Sequence, residues 1–220
     1  MADLTILMLT PNRVPNGWAD FHKQKLLEAA GDNPIITISK EPLDWGVKNL
    51  IQDGYGIPNL SRQILRGAKL ATTPFVAIAD DDTLYPKEHF AFRPGKPGFY
   101  YNHNRWHILT WGEPFYFNRP RSGNGCMIAT RELIIQAITL RMKADPELKG
   151  FPTELGTKYS MLQYDLVKRS TFSTEIPILS FTHEWSVDEA CRRHKKYTGP
   201  IRADELPVWG KAKDIRKKFQ

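Results

Sequence analysis

The most informative segment of the chain is residues 66–86, which read RGAKLATTPFVAIADDDTLYP. Its run Phe75–Ala79 is entirely apolar, and such a run predicts a strand that is covered on both faces, as in a parallel sheet. Three adjacent aspartates, Asp80, Asp81 and Asp82, follow directly. Because ligands of open α/β sheets bind at the carboxyl ends of the strands, this triplet marks a candidate site.

The aspartate triplet has the chemistry of a cation site. Adjacent carboxylates repel one another unless a cation lies among them, and hard oxygens suit Mg²⁺ or Mn²⁺, which in turn bridge phosphate oxygens. Side chains alternate in direction along an extended segment, so we expect Asp80 and Asp82 to share a metal while Asp81 faces elsewhere. The alternative is a solvated acidic turn or the first turn of a helix, and position alone leaves both open.

The segments around the triplet predict a layered α/β domain. The expected elements of the first half are a strand at Leu4–Thr10, a helix at Asp20–Ala30, a strand at Ile35–Ile38, a helix at Asn59–Ala71 capped by Asn59, and the strand at Phe75–Ala79. This β-α-β-α-β order is typical of a doubly wound fold. The second half is less regular, and the expected elements are a hairpin within Phe99–Trp111 that turns at residues 102–104, a strand at Cys126–Ala129, a helix capped by Thr130, and helices over Lys158–Lys168 and from Val187.

The composition is that of an ordinary globular protein, with 220 residues, 41% hydrophobic and 25% charged. This excludes a mainly disordered chain, a collagen-like chain and a disulfide scaffold, and the two cysteines form no zinc-binding spacing. The net charge of +7 indicates an anionic partner, namely a nucleotide, a nucleic acid or a membrane surface, or else serves solubility alone. With no signal peptide and no bilayer-spanning run, we expect a cytosolic protein that needs neither a membrane nor an obligate protein partner.

Residues 59–86 resemble the core of the GT-A fold glycosyltransferases, especially family-2-like ones, in which a helix with a small-residue stretch leads to an apolar strand that ends in a DxD motif and an aromatic-Pro pair. A looser resemblance extends from residue 4 to about residue 197. It implies an α/β, GT-A-like, Rossmann-like doubly wound sheet, mixed but mostly parallel and flanked by helices, with an acceptor-side β-hairpin. We therefore assign residues 1–200 to one catalytic domain, with a nucleotide-sugar-binding half at 1–90 and an acceptor-binding half at 91–200, followed by a basic tail at 201–220 whose order the sequence leaves open.

The resemblance also implies a donor and a metal site. The donor would be a nucleotide-diphosphate sugar, with a UDP-sugar favoured, held through Mn²⁺ or Mg²⁺. Asp80 would lie near the ribose and bind the metal with Asp82, and His183 would be the third ligand. The remaining donor contacts implied are Thr10, Pro11 and Arg13 after the first strand, Asp44 as a reader of the base, Asp81, Arg62 or Arg66 in place of an Arg-Asn pair where this chain has Ile64 and Leu65, and Lys195 beside the departing diphosphate.

The catalytic base is assigned from a further similarity, between residues 162–169 (LQYDLVKR) and the family segment that carries an acidic pair. Asp165 is its one carboxylate, so it would take the proton of the acceptor hydroxyl as a general base. Glu154 and Glu184 are the other candidates, and a retaining mechanism stays open.

A dense group of aromatic residues suggests the acceptor. Residues 99–117 hold Phe99, Tyr100, Tyr101, Trp106, Trp111, Phe115, Tyr116 and Phe117, interleaved with Arg105 and followed by Arg119 and Arg121. About half should be core residues of a hairpin, while the others could stack on sugar rings or on extruded bases. The favoured acceptor is a hydroxymethylated pyrimidine in DNA, modified by a viral enzyme in the host cytoplasm. The alternatives are a soluble glycan, lipid or protein acceptor, a nucleotidyltransferase on a related fold, a nucleic-acid-binding protein without catalysis, and a metal-dependent nuclease.

Overall fold

The computed structural model describes residues 2–54, 56–148, 154–156, 169–184 and 199–220. Its helices are α1 (Asn16–Ala30), α2 (Gly56–Leu70), α3 (Lys87–Ala91), α4 (Arg131–Ala144) and α5 (Ala212–Arg216). Its strands are β1 (Leu4–Thr10), β2 (Ile35–Ser39), β3 (Lys48–Ile51), β4 (Phe75–Asp80), β5 (Thr83–Leu84), β6 (Phe99–Asn102), β7 (Arg105–Leu109), β8 (Tyr116–Asn118), β9 (Met127–Thr130), β10 (Ser170–Phe172), β11 (Ile178–Thr182), β12 (Arg202–Ala203), β13 (Glu205–Leu206) and β14 (Gly210–Lys211).

A mixed, mostly parallel sheet forms the centre of the fold. Within the described residues it has seven strands in the order β10-β6-β9-β4-β1-β2-β3. Strands β3, β2, β1 and β4 are parallel neighbours, and β9 runs antiparallel to both β4 and β6. All seven residues of β1 are buried, which is the reason why this strand reads as a continuous apolar run. The predicted α/β class with a mostly parallel sheet flanked by helices is confirmed.

The small residues of α2 let it lie close to the central sheet. A Cβ atom added at Gly67 would come within 2.7 Å of Leu7 and within 2.9 Å of Ile38, whose side chains belong to β1 and β2. Glycine therefore stands at this position because the helix lies almost in contact with the sheet. The helix begins at Gly56, so the expected cap Asn59 lies inside its first turn.

The expected hairpin between residues 99 and 111 is wrong. Strand β6 belongs to the central sheet, whereas β7 belongs to a second sheet, which in the described part of the chain has five strands in the order β12-β8-β7-β11-β5. Two hydrogen bonds shape the turn that carries the chain from one sheet to the other. The backbone N–H of Asn104 donates to Asn102 Oδ1, and the backbone N–H of Arg105 donates to the carbonyl of His103. The hairpin that does form joins β7 to β8. Strand β3 was not expected, and it lies at the edge of the central sheet.

The basic tail at residues 201–220 is folded. Its residues contribute β12 to the second sheet, form the β13–β14 pair, and continue into α5 and a 3-10 turn at Lys217–Phe219. Buried apolar residues explain this: Leu206, Ala212 and Phe219 join a second core cluster around Trp18 and Phe181. In the described residues, no helix combines the length and the hydropathy needed to cross a lipid bilayer.

Candidate active site at the aspartate triplet

The aspartate triplet lies where the chain passes from one sheet to the other. Asp80 is the last residue of β4, and β5 of the second sheet begins at Thr83. The triplet borders a cavity of about 360 Å³, which we call the aspartate cavity. Its lining also includes the end of β1 and the following loop, residues near β3, the first turns of α2, and His183, namely Leu9, Thr10, Pro11, Arg13, Val14, Lys40, Gln52, Gly54, Asn59, Leu60, Gln63 and His183. The site therefore lies at the carboxyl ends of β1 and β4, as expected.

Asp81 is held by both its side chain and its backbone. Its Oδ2 accepts a hydrogen bond of 2.5 Å from the hydroxyl of Thr10. Its carbonyl oxygen accepts a hydrogen bond of 2.7 Å from the indole N–H of Trp18. Burial, together with the neighbouring charge of Asp82, raises the pKa of Asp81 well above its ordinary value, while the Thr10 hydrogen bond opposes that shift. Its side chain lies between the aspartate cavity and a smaller cavity of about 110 Å³.

Asp82 is paired with His183 through the second sheet. Strand β5 runs antiparallel to β11, and this pairing continues as the Phe181 N–H donates to the carbonyl of Asp82 at 2.7 Å. His183 follows β11 directly, and its Nε2 lies 3.5 Å from Asp82 Oδ2. The hydroxyl of Thr83 donates to Asp82 Oδ1 at 3.0 Å.

Asp80 lies against the 3-10 turn at Asn124–Cys126. A Cβ atom added at Gly125 would be only 2.0 Å from Asp80 Oδ2, so the turn approaches the carboxylate as closely as backbone can. The Asp80 N–H donates to the Tyr85 hydroxyl at 2.9 Å. Burial and the charge of Asp82 raise the pKa of Asp80 from 3.8 to about 7, and Arg105 opposes the shift. The carboxylates therefore repel one another in the folded chain, and a cation between them would relieve that repulsion.

The donor set fits a divalent cation that takes part of its coordination from a ligand. Among the residues that the structure describes, no three His, Cys, Asp or Glu side chains come together to hold a metal by themselves. Of the expected ligands Asp80, Asp82 and His183, the last two are in direct contact, with His183 Nε2 3.5 Å from Asp82 Oδ2. Mg²⁺ is commonly held by one or two carboxylates together with substrate phosphates, so the aspartates fit a metal that a bound diphosphate completes.

Three hydrogen-bonded amide side chains, those of Gln52, Asn59 and Gln63, also line the aspartate cavity, and the sequence did not indicate this role for them. Gln52 Nε2 donates to the carbonyl of Thr10 at 2.6 Å, and Asn59 Nδ2 donates to Gln52 Oε1 at 3.1 Å. Gln63 Nε2 donates to Asn59 Oδ1 at 2.8 Å. Lys40 Nζ donates to the carbonyl of Gly54 at 2.5 Å. The spacing of Asn59 and Gln63, four residues apart on one helix face, is the signal that could have shown part of this cavity lining.

Three of the predicted donor residues do not line the cavity. The side chain of Asp44 is 92% exposed and pairs with Lys23 at 3.4 Å. Arg62 donates to the carbonyl of Pro146 at 2.8 Å, which turns it toward the chain segment after α4. Arg66 donates to Gln63 Oε1 at 2.7 Å, so it holds a residue of the cavity wall and is not part of the wall itself. Asp165 and Lys195 lie outside the described residues.

A third cavity, of about 440 Å³ and called the tryptophan cavity here, adjoins the aspartate cavity. It shares Arg13, Val14 and His183 with the aspartate cavity, and Trp111, Glu184 and Phe219 are also on its wall. Among the eight aromatic residues of 99–117, the four in the core are Phe99, Tyr101, Tyr116 and Phe117. Arg105 faces the interior and donates to the Ser180 hydroxyl at 3.2 Å. Glu154 lies apart from these cavities, where its carbonyl accepts a hydrogen bond from Arg141.

Solved structures of two enzyme classes resemble this fold. A glycosyltransferase involved in the glycosylation of the major capsid of PBCV-1 is 13% identical, with a TM-score of 0.48 over 87% of this chain and 97% of that one. The 2-C-methyl-D-erythritol 4-phosphate cytidylyltransferase from Thermus thermophilus is 14% identical, with a TM-score of 0.49 over 88% of this chain and all of that one. A mannosyltransferase from Pyrobaculum calidifontis, in complex with GDP-Man and Mn²⁺, is 14% identical, with a TM-score of 0.46 over 82% of this chain and 56% of that one.

No protein-family model matches the chain, and no curated protein matches it. Because every one of these TM-scores is below 0.5, we base the proposed function on the residues of this chain.

Proposed function

We propose that the chain is a metal-dependent glycosyltransferase that moves a sugar from a nucleotide-diphosphate sugar to an acceptor hydroxyl. The observation that carries this proposal is the set of three aspartates facing one cavity at the carboxyl end of the central strand β4. Asp80 and Asp81 have raised pKa values there because burial and the charge of Asp82 both disfavour their ionised forms. A divalent cation bound between the aspartates would offset these charges, and its remaining coordination positions could be filled by the oxygens of a diphosphate. The resemblance of residues 59–86 to GT-A glycosyltransferases points to the same pair of ligands.

The donor is proposed to bind in the aspartate cavity. The volume of this cavity, about 360 Å³, is in the range of cofactor and small-molecule sites. Asp82 and Asp80 would hold the cation with the diphosphate oxygens, and when bound this cation neutralises charge on the leaving diphosphate. Thr10 and the amides of Gln52 and Gln63, which line this cavity, are proposed to bind the nucleoside, since amide and hydroxyl groups recognise both ribose and base edges.

Arg13 is proposed to act between donor and acceptor. It lines both cavities, and a guanidinium there can bind phosphate oxygens through two parallel hydrogen bonds. The acceptor is proposed to enter the tryptophan cavity, where its hydroxyl would lie near the donor sugar. Asp165 is proposed as the general base, and Lys195 as a second cation beside the diphosphate. In this assignment residues 1–90 form most of the donor site, and residues 91–200 contribute Trp111 and the proposed base Asp165 to the acceptor side.

The favoured acceptor is DNA that carries a hydroxymethylated pyrimidine. Two features support it: the ring of Trp111 on the wall of the tryptophan cavity offers a stacking surface for an extruded base, and the chain has a net charge of +7. A soluble glycan would use the same stacking surface, and the experiment distinguishes the two.

A turnover screen tests the proposal. Nucleotide-diphosphate sugars are incubated with Mn²⁺ or Mg²⁺, with hydroxymethylated DNA, plain DNA, a soluble glycan or no acceptor, and both released nucleoside diphosphate and acceptor mass are measured. We expect metal-dependent release that hydroxymethylated DNA increases, with a sugar-sized mass gain on that DNA. Mass gain on the glycan alone would move the acceptor to that class. A parallel incubation with nucleoside triphosphates tests the other enzyme class, because release of pyrophosphate there would point instead to a nucleotidyltransferase.

Two asparagine variants make the screen specific to the site. Asp82→Asn removes a charge from the triplet, and we expect it to abolish metal-dependent release. Asp44→Asn is the matched control, because it removes the same charge from a side chain that is 92% exposed and away from the cavity. Equal activity of Asp82→Asn and Asp44→Asn, or no release by the unaltered chain with any donor, would refute the proposal.

A further inference from the structure

Phe219 lies at the centre of an aromatic cluster beside the aspartate triplet. It belongs to the 3-10 turn Lys217–Phe219 and is only 6% exposed. Its ring centroid lies 4.7 Å from that of Trp18, 5.2 Å from that of Phe181 and 5.1 Å from that of His183. Trp18 and Phe181 also contact each other, with centroids 4.3 Å apart.

Each of these three neighbours holds one of the aspartates directly. The indole N–H of Trp18 donates to the carbonyl of Asp81 at 2.7 Å. The backbone N–H of Phe181 donates to the carbonyl of Asp82 at 2.7 Å. His183 Nε2 lies 3.5 Å from the Asp82 carboxylate. Phe219 therefore contacts three groups that together fix the backbone of Asp81, the backbone of Asp82 and one side-chain oxygen.

The aspartates need such support because of where they lie. Asp81 and Asp82 stand between the end of β4 and the start of β5, so neither belongs to a strand. Their charges repel, and this repulsion favours any movement that separates them. Metal and ligand sites require the holding groups to be fixed within about 0.5 Å of the productive geometry, and residues packed behind those groups supply this order.

We propose that Phe219 is a positioning residue for the aspartate triplet. Its ring keeps Trp18, Phe181 and His183 in the places from which they hold Asp81 and Asp82, so the donor site is complete only when this turn is packed against α1 and β11. The inference rests on the proposed function for its ligand, a nucleoside diphosphate with a divalent cation. Its geometric part, the hold on the Asp81 carbonyl through Trp18, can be measured without any ligand.

The test compares Phe219→Leu and Phe219→Ala with the control Phe115→Leu. Leucine keeps most of the apolar volume and lacks the ring, so it tests ring contacts in a folded protein if alanine proves too destabilising. Phe115 is an aromatic residue whose ring contacts Phe117 and Arg202 and none of the three neighbours of Phe219. For each variant we would measure the melting temperature, the Kd of UDP and of GDP with Mn²⁺ by calorimetry, and the hydrogen-exchange rate of the Trp18 indole N–H, whose resonance is assigned by its loss in Trp18→Phe. The exchange rate reports on the hydrogen bond to Asp81, whereas the chemical shift would also change through loss of the Phe219 ring current.

We expect Phe219→Leu to weaken binding of the metal-dependent nucleotide by about 10- to 100-fold, the size seen when groups behind metal ligands are removed. The Trp18 indole N–H should exchange faster with solvent, because its hydrogen bond to the Asp81 carbonyl is weakened, while Phe115→Leu leaves both nucleotide binding and exchange unchanged. Equal weakening of nucleotide binding by the two variants, or an unchanged Trp18 exchange rate in Phe219→Leu, would overturn the positioning role. If the unaltered chain binds neither nucleotide but Phe219→Leu still speeds the exchange of the Trp18 indole N–H, the proposed function fails and the hold on Asp81 stands.

Discussion

Replacing Gly125 by alanine is expected to displace the carboxylate of Asp80. The new Cβ atom would lie 2.0 Å from Asp80 Oδ2 and 2.8 Å from its Cγ, so the oxygen must retreat by about 1.4 Å to reach an ordinary contact of 3.4 Å. The Asp80 backbone cannot follow freely, because its N–H is bonded to the Tyr85 hydroxyl. The side chain must therefore rotate, and it then meets the charge of Asp82.

The cost of this overpacking is about 1–3 kcal/mol of unfolding free energy. In a chain of this length, 1 kcal/mol corresponds to about 2–4 °C in melting temperature, so we expect Gly125→Ala to melt about 2–12 °C below the unaltered chain. A carboxylate displaced by more than 1 Å should also weaken metal-dependent donor binding by at least about tenfold.

The assay is thermal unfolding followed by calorimetric titration of a nucleoside diphosphate with Mn²⁺. Gly17→Ala is the matched control, since a Cβ atom at Gly17 meets nothing within 4 Å and the residue lies in a helix. We expect it to be neutral or slightly stabilising. A Gly125→Ala protein with the melting temperature and donor affinity of the Gly17→Ala control would refute the close packing of Asp80 against the turn.

Three further substitutions test other parts of the account. The folded-state pKa of Asp80 is raised from 3.8 to about 7, so ionisation of this carboxyl destabilises the metal-free fold as the pH rises from about 4 to about 7. Asp80→Asn should therefore raise the melting temperature at pH 8, relative to the unaltered chain, and change it little at pH 4. Equal effects at both pH values would contradict the pKa shift. Gly67→Ala should lose about 1–3 kcal/mol in chemical unfolding, because its Cβ would come within 2.7 Å of a β1 side chain. Thr10→Val should leave Asp81 without its 2.5 Å hydrogen bond and, in urea unfolding at pH 7, cost about 1–3 kcal/mol; no loss would show that the bond contributes nothing.

The first half of the fold was predictable because burial on both faces leaves a mark in the sequence. β1 is nearly all apolar and β4 is apolar up to Asp80, as is typical of parallel strands that are covered on both faces. The place of the aspartates in the fold could be predicted from the same strands, since the carboxyl end of such a strand is the edge of the sheet where ligands bind.

The second half was not predictable in the same way, because alternation identifies a strand without identifying its partner. The segments that become β6 and β7 are both rich in aromatic residues, and the short turn at residues 102–104 suggested that they pair. In the structure β6 and β7 belong to different sheets, because the turn between them changes the direction of the chain without reversing it.

The remaining gaps concern residues whose role depends on distant packing. The basic character of residues 211–218 left the order of the tail open, while the fold is decided there by the few apolar residues that reach Trp18, Phe219 above all. Likewise, Gln52 and Gln63 carry no motif. They meet at one cavity only because β3, which was not expected, places Gln52 beside α2.

The central claim is that the aspartate triplet binds a diphosphate together with a divalent cation. The most direct test is calorimetric titration of nucleoside diphosphates into the unaltered chain, with Mn²⁺ and with EDTA, and then into Asp82→Asn. We predict saturable binding of at least one nucleoside diphosphate that requires the metal and is lost in Asp82→Asn. Binding that is equally strong in EDTA, or that survives in Asp82→Asn, would contradict the account.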